Sequence, residues 1–168
     1  REKLGSARHE SESQYRQLIH SLPAAVYTTD KKGCITMYNE AAAILWGQEP
    51  EIGKDMWCGS WKILRPNGWP LALEECPMAV ALKEERPVFG EEIMVVRPNG
   101  AIRHVLTHPQ PLFDESGEMI GAINMLVDVT EMKRTERSLR EKEEKYRQLA
   151  ATLELKVEEK TSDIKLKN

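Results

Sequence analysis

The side chains able to do chemistry are few and scattered. His9, His20, His104 and His108 form no cluster with one another or with Cys34, Cys58 and Cys76, and no CxxC spacing occurs. Neither a zinc site nor a disulfide framework is therefore set out, and three isolated thiols fit a reducing cytosol. No nucleophile, base and orienting group come together at useful spacing, and no glycine-rich nucleotide box is present, so no catalytic residue and no metal site are expected. Trp46, Trp57, Trp61 and Trp69 do cluster, within 24 positions. Indole rings can stack on a planar ligand, although in a small domain they more often fill core.

The charge balance narrows the partners. With 24 Lys and Arg against 27 Asp and Glu, the net charge is −3, and the basic residues of the C-terminal third are interleaved with Glu. That is a solvated helix surface rather than a basic stripe, so nucleic acid is not an expected partner. The longest apolar runs, such as Ile120 to Val127, fall far short of the roughly 20 residues that span a bilayer. The N-terminus has no apolar secretory core. The expectation is a cytoplasmic location without direct membrane contact, within a parent that can be anchored elsewhere.

Several elements must position these side chains. Tyr15, Leu18, Ile19 and Leu22 recur at helical spacing before Pro23, giving an amphipathic lead-in helix over 1–22. Two β-prone stretches, 25–29 and 34–38, flank the turn residues Asp30 to Gly33. Asn39 can cap a short helix that Gly47 stops, and Pro77 starts another that ends near Glu85. Between them, residues 50–76 carry too many Pro and Gly for any period and read as a structured loop. Strands follow at 91–96, 101–108 and 118–129, with Asn99-Gly100 and Ser116-Gly117 at the turns. The order predicts an α+β fold: a five-stranded antiparallel sheet with flanking helices over 23–130.

From Glu131 to Asn168 there is neither Gly nor Pro, so one helix about 55 Å long is expected. Met132, Leu139, Tyr146 and Leu153 recur at sevens, with Leu149 between. Val157 and Ile164 are again seven apart but displaced by four from Leu153, a stutter. These seven residues form the expected seam of a parallel coiled coil, weakened in its first half by Thr135 and Lys142. The tetrapeptide YRQL occurs at 15–18 and at 146–149. Shared helical composition explains so short an echo, and so does a modular joint at each end.

The segment VYTTDKKGCITMYNEAA, with Asp30, Gly33 and Asn39, resembles the opening of a PAS domain. PLFDESGEMIGAINMLVDVTEMK resembles its ending, where Asp128 and Thr130 supply a D-x-T motif, and GSWKILRPNGWPLALEECPMAVALKEERPVFGEE resembles the middle of a subgroup found in bacterial sensor histidine kinases. The closing stretch is similar to the linker before a kinase's dimerisation helices. The resemblance implies a PAS-like fold enclosing a small-molecule pocket, a homodimer through the N- and C-terminal helices, and a downstream histidine kinase domain in cis. It implies a sensory or relay module of two-component signalling; a ligand-free dimerisation spacer is the alternative.

On that footing the pocket candidates are Trp46, Trp57, Trp61, Met78, Leu82, Met94, His104, Leu106, Asn124 and Leu126; Met78, Leu82, Met94, Leu106, Asn124 and Leu126 fall on helix or strand faces expected to point inward, while parity decides the face of His104. Asn124 is the one polar side chain amid Ile123, Met125 and Leu126, so it is either outward-facing or buried with a partner. Asp128 and Thr130 can bond the first N–H groups of the exit helix and so join strand end to helix start; a plain helix cap is the simpler reading. No cofactor is evident. Heme is disfavoured because the helix at 77–85 has no His, with His104 more simply a strand residue, and flavin photochemistry because Cys58 lies in DMWCGSW rather than in the reactive-cysteine helix of that branch. The chain has no phosphoacceptor His in its exit helix, so no enzymatic activity is expected of it.

Overall fold

The computed structural model describes residues 2–166, with side chains from residue 11 onward; Arg1, Lys167 and Asn168, at the extreme ends of the two expected terminal helices, lie outside the described residues. The first helix, α1 (Glu2–Ser21), ends ahead of Pro23, as its periodicity predicts. β1 (Ala25–Asp30) and β2 (Ile35–Tyr38) then pair antiparallel. Their turn forms because Asp30 Oδ1 accepts the N–H groups of Lys32 at 2.9 Å and Cys34 at 3.0 Å. Gly33 takes φ +92° there, and a Cβ on it would lie 2.4 Å from the Trp57 ring.

Asn39 ties this hairpin to the helices beside it. Its Oδ1 accepts from Val26 N and Ala42 N, both at 3.0 Å, and its Nδ2 donates to the carbonyls of Ile19 at 3.1 Å and Ala24 at 2.7 Å. One fully buried side chain thus caps α2 (Glu40–Trp46) and joins it to the end of α1 and the start of β1. Gly47 closes α2 in the left-handed region at φ +72°.

The sheet has seven strands rather than five. β3 (Lys62–Leu64) and β4 (Pro70–Leu71) form inside the segment read as loop, and β3 pairs with β5 (Glu91–Val96). A 3₁₀ turn, Leu73–Glu75, leads into α3 (Pro77–Glu84), whose first residue is the expected Pro. β6 (Ile102–Phe113) and β7 (Met119–Asp128) complete a sheet of order β2-β1-β7-β6-β5-β3-β4, all pairs antiparallel. α2 and α3 pack on one face of it, against β1, β6 and β7. The α+β class is as the pattern predicts.

That covered face holds the core. Tyr27, Ile63, Val95, Val105 and Ala122 of the strands meet Trp46, Met78 and Ala79 of the helices, all of them at most 1% exposed. Trp46 packs edge-on to Tyr27 (centroids 5.1 Å apart) and Tyr38 (6.1 Å). The chain divides into two compact units, one up to Val129 and the other from Thr130. The second is α4 (Thr130–Leu166), 37 residues of uninterrupted helix. Among the described residues no helix is long and apolar enough to cross a membrane.

Candidate functional site

Strand parity decides which candidates face the helices. On β7, Ala122, Asn124 and Leu126 are buried while Met125 and Val127 are exposed, so Asn124 takes the inward side. On β5 and β6 the buried set is Ile93, Val95, Val105, Thr107 and Pro109. Met94, His104 and Leu106 alternate with these and therefore lie on the opposite face, which corrects the expectation that Met94 and Leu106 point inward and makes His104 the plain strand residue of the simpler reading. His104 Nδ1 meets Glu92 Oε1 there at 3.0 Å. Trp61, also a pocket candidate, is 61% exposed.

The structure does bring together Trp46, Met78, Leu82, Asn124 and Leu126, with Trp57 half-buried at the margin of the same core. Trp57 adopts φ +67°, a costly conformation for a bulky residue. Three contacts hold it: its N–H donates to the Gly33 carbonyl at 2.7 Å, its carbonyl accepts from the Tyr27 hydroxyl at 2.8 Å, and Lys83 Nζ lies 5.6 Å from the centre of its ring.

Asn124 has partners on every side. Its Nδ2 donates to the Tyr27 hydroxyl at 3.2 Å and its Oδ1 accepts from His108 N at 3.0 Å. Trp57, Tyr27, Asn124 and the backbone of β6 therefore form one chain of hydrogen bonds through the interior. Tyr27 escaped the sequence reading, although it stands opposite Asn124 in the β1–β7 register. An aromatic and an amide at matched places on expected neighbouring strands could have signalled the pair.

Cys58 and Cys76, two of the isolated thiols, are buried in the interior together with Ser60, which the sequence did not single out. Cys58 Sγ and Ser60 Oγ are 2.9 Å apart. The Trp46 indole N–H has no geometrically regular acceptor and lies beside the Cys58 sulfur, a weak one. Burial, first of all, raises the Cys58 thiol and pushes Cys76 up to about 12; burial also lifts the Tyr27 phenol well above its ordinary range. These groups stay protonated at neutral pH, so the interior offers hydrogen-bond donors rather than nucleophiles. Among the described residues no group of three or more His, Cys, Asp or Glu is placed to hold a metal ion.

At the C-terminal end of β7, a strand paired on both sides, Asp128 approaches Arg103 at 3.7 Å. Thr130 is 3% exposed and begins α4.

The family model described as the PAS fold matches residues 19–134. The chain belongs to the PAS fold family. Solved structures share the PAS unit's architecture: the PAS domain of a protein from Colwellia psychrerythraea is 18% identical, with 71% of this chain and 98% of that one covered and a TM-score of 0.50. A sensory box histidine kinase/response regulator from Burkholderia thailandensis E264 is 20% identical over 80% and 98%, TM-score 0.51. The PAS domain of an HTR-like protein from Haloarcula marismortui is 19% identical over 76% and 99%, TM-score 0.52. At these identities the likeness is one of fold. No curated protein matches the chain by sequence.

Proposed function

We propose that this chain is a sensory or signal-relay PAS module that acts as a homodimer and passes its state, through a coiled coil formed by α4, to a histidine kinase domain downstream in cis. The observation that carries the reading is the exposure of α4. Met132, Leu139, Tyr146, Leu149, Leu153, Val157 and Ile164 are between 53% and 70% exposed, although their spacing is that of a packed seam. A helix this long with an uncovered apolar stripe is stabilised by a partner helix. The kinase context draws on the Burkholderia relative, whose description includes a histidine kinase. In this reading β7 carries the interior's state to Asp128 and Thr130, and a small ligand or a rearranged interior shifts the equilibrium between two coiled-coil arrangements. The module acts in the cytoplasm and performs no catalysis itself.

A ligand-free dimerisation spacer is the second reading, favoured by the filling of the interior by Trp46, Tyr27 and Met78. Sedimentation equilibrium of the whole chain tests the part common to both. A dimer is expected, and Leu139→Glu with Leu153→Glu should weaken it at least about tenfold by placing unpaired charges in the seam. A wild-type chain that stays monomeric at high micromolar concentration overturns both readings. The absorption spectrum of the freshly purified protein then separates sensors of different kinds: heme or flavin bands would make it a cofactor-based sensor.

A further inference from the structure

A cavity of about 490 Å³ opens at the edge of the PAS unit, where the start of β1, the end of α2 and the end of β7 come together. Pro23, Ile44, Leu45 and Val127 supply apolar walls, and Arg97, Arg103 and Asp128 are its charged lining residues. Its volume is that of a site for a small organic molecule. Ile44, although part of the wall, is 63% exposed.

The charges in this cavity are unbalanced. Arg97 donates from Nε to the Leu45 carbonyl at 3.0 Å and from Nη2 to the Ile44 carbonyl at 2.5 Å, so its guanidinium is held at the C-terminal end of α2. Those partners orient it without neutralising its charge. Arg103 lies close enough to disfavour the Arg97 charge, an effect second only to partial burial, and Asp128 opposes it. Asp128 is the one carboxylate facing the two guanidiniums, at 3.7 Å from Arg103, longer than a well-formed charge-assisted hydrogen bond. Two cations, of which Arg103 is paired with Asp128, leave room for one more negative charge.

We propose that this cavity binds a small amphipathic monocarboxylate, its carboxylate seated between Arg97 and Arg103 and its hydrocarbon part against Ile44, Leu45 and Val127. A planar carboxylate matches the fork of a guanidinium, and a single negative charge balances the excess. A phosphate dianion would overshoot that balance and leave the apolar walls uncovered. Seated there, the ligand competes with Asp128 for Arg103 at the last residue of β7.

Titration of the ¹⁵N-labelled whole chain with sodium octanoate, followed by two-dimensional NMR, tests the assignment, with sodium acetate and octanamide as probes lacking the tail or the charge. Saturating shifts are expected at Ala24, Ile44 and Val127 with octanoate, and at least about tenfold weaker binding with either control. Arg103→Gln removes one guanidinium, and Ile44→Glu puts a like charge on an exposed position that folding does not depend on. Each should weaken octanoate binding about tenfold or more. Octanamide binding as tightly as octanoate would reduce the site to an apolar patch and overturn the proposal. So would unchanged affinity in both variants, or shifts spread across exposed sheet residues such as Met125. Shifts at the same three residues on raising protein concentration alone would assign the cavity to a second copy instead.

Discussion

Trp46 and Tyr146 are both aromatic residues on helices whose apolar positions follow a helical period, yet Trp46 is fully buried and Tyr146 is 70% exposed. The difference lies in where the partner surface is found. α2 is seven residues long and could not stand alone, but its buried side chains Ala42, Leu45 and Trp46 meet a sheet folded from the same chain. α4 is 37 residues long and has the more regular repeat, while its apolar residues stay uncovered. Periodicity says which face of a helix is to be buried. It does not say whether the burying surface belongs to the same molecule.

Truncation separates the two cases most sharply. Trp46→Ala should destabilise the PAS unit by about 3–5 kcal/mol, because it empties a site bounded by Tyr27 and Tyr38 and by Gly59, where a Cβ would lie 2.4 Å from the indole. Leu139→Glu with Leu153→Glu, by contrast, should change the stability of that unit by less than about 0.5 kcal/mol while weakening the dimer at least about tenfold. Chemical denaturation followed by Trp fluorescence reads the PAS unit, since every tryptophan lies in it. Equal losses for the two variants would erase the distinction between them.

Asn39→Ala comes next, at about 2–3 kcal/mol. It removes a helix cap and takes away the side-chain partner of the Val26 N–H and the Ala24 carbonyl. A loss below about 0.5 kcal/mol in the same denaturation assay would mean that water replaces the amide.

The sheet was legible where turn chemistry and apolar alternation agreed. Asp30, Gly33, Asn99 and Gly100 marked turns that the structure contains, and Asn39 and Pro77 marked helix starts. β3 and β4 were missed for want of length, being three and two residues long. A stronger signal lay beside them: Arg-Pro-Asn-Gly occurs at 65–68 as well as at 97–100. Both copies make the same turn, with Asn67 and Asn99 accepting from the backbone N–H two residues on.

β6 runs five residues past its expected end, through Pro109 and Pro111. β5 pairs with it only as far as Thr107, so the prolines fall where the β5 ladder has stopped and a missing donor costs little. The inward set failed for a different reason. Met94 and Leu106 are separated from Ile93, Val95 and Val105 by one residue of register, and both sets carry apolar members. Only the position of the helices breaks that tie.

The smallest effect concerns the two aspartate turns, Asp30-Lys-Lys-Gly33 and Asp114-Glu-Ser-Gly117, which repeat one device in the β1–β2 and β6–β7 hairpins and are joined by Lys31 Nζ and Glu118 Oε1 at 3.1 Å. Asp114 Oδ1 accepts from Ser116 Oγ at 2.6 Å, Ser116 N at 2.8 Å and Glu118 N at 3.0 Å. These bonds, the Ser116 hydroxyl foremost, hold the Asp114 carboxyl below its ordinary range. Because the folded form binds its proton less readily than the unfolded chain, the turn's contribution is complete above the ordinary aspartate range. It is lost as the pH falls through the lowered folded value. Carbon-detected NMR of the carboxyl group against pH is expected to place the Asp114 midpoint below that of a free aspartate, and Ser116→Ala should move it back up. A midpoint at or above the free value would show that the turn holds its shape without help from the charge, and would leave the apolar alternation of β6 and β7 as what sets this hairpin's register.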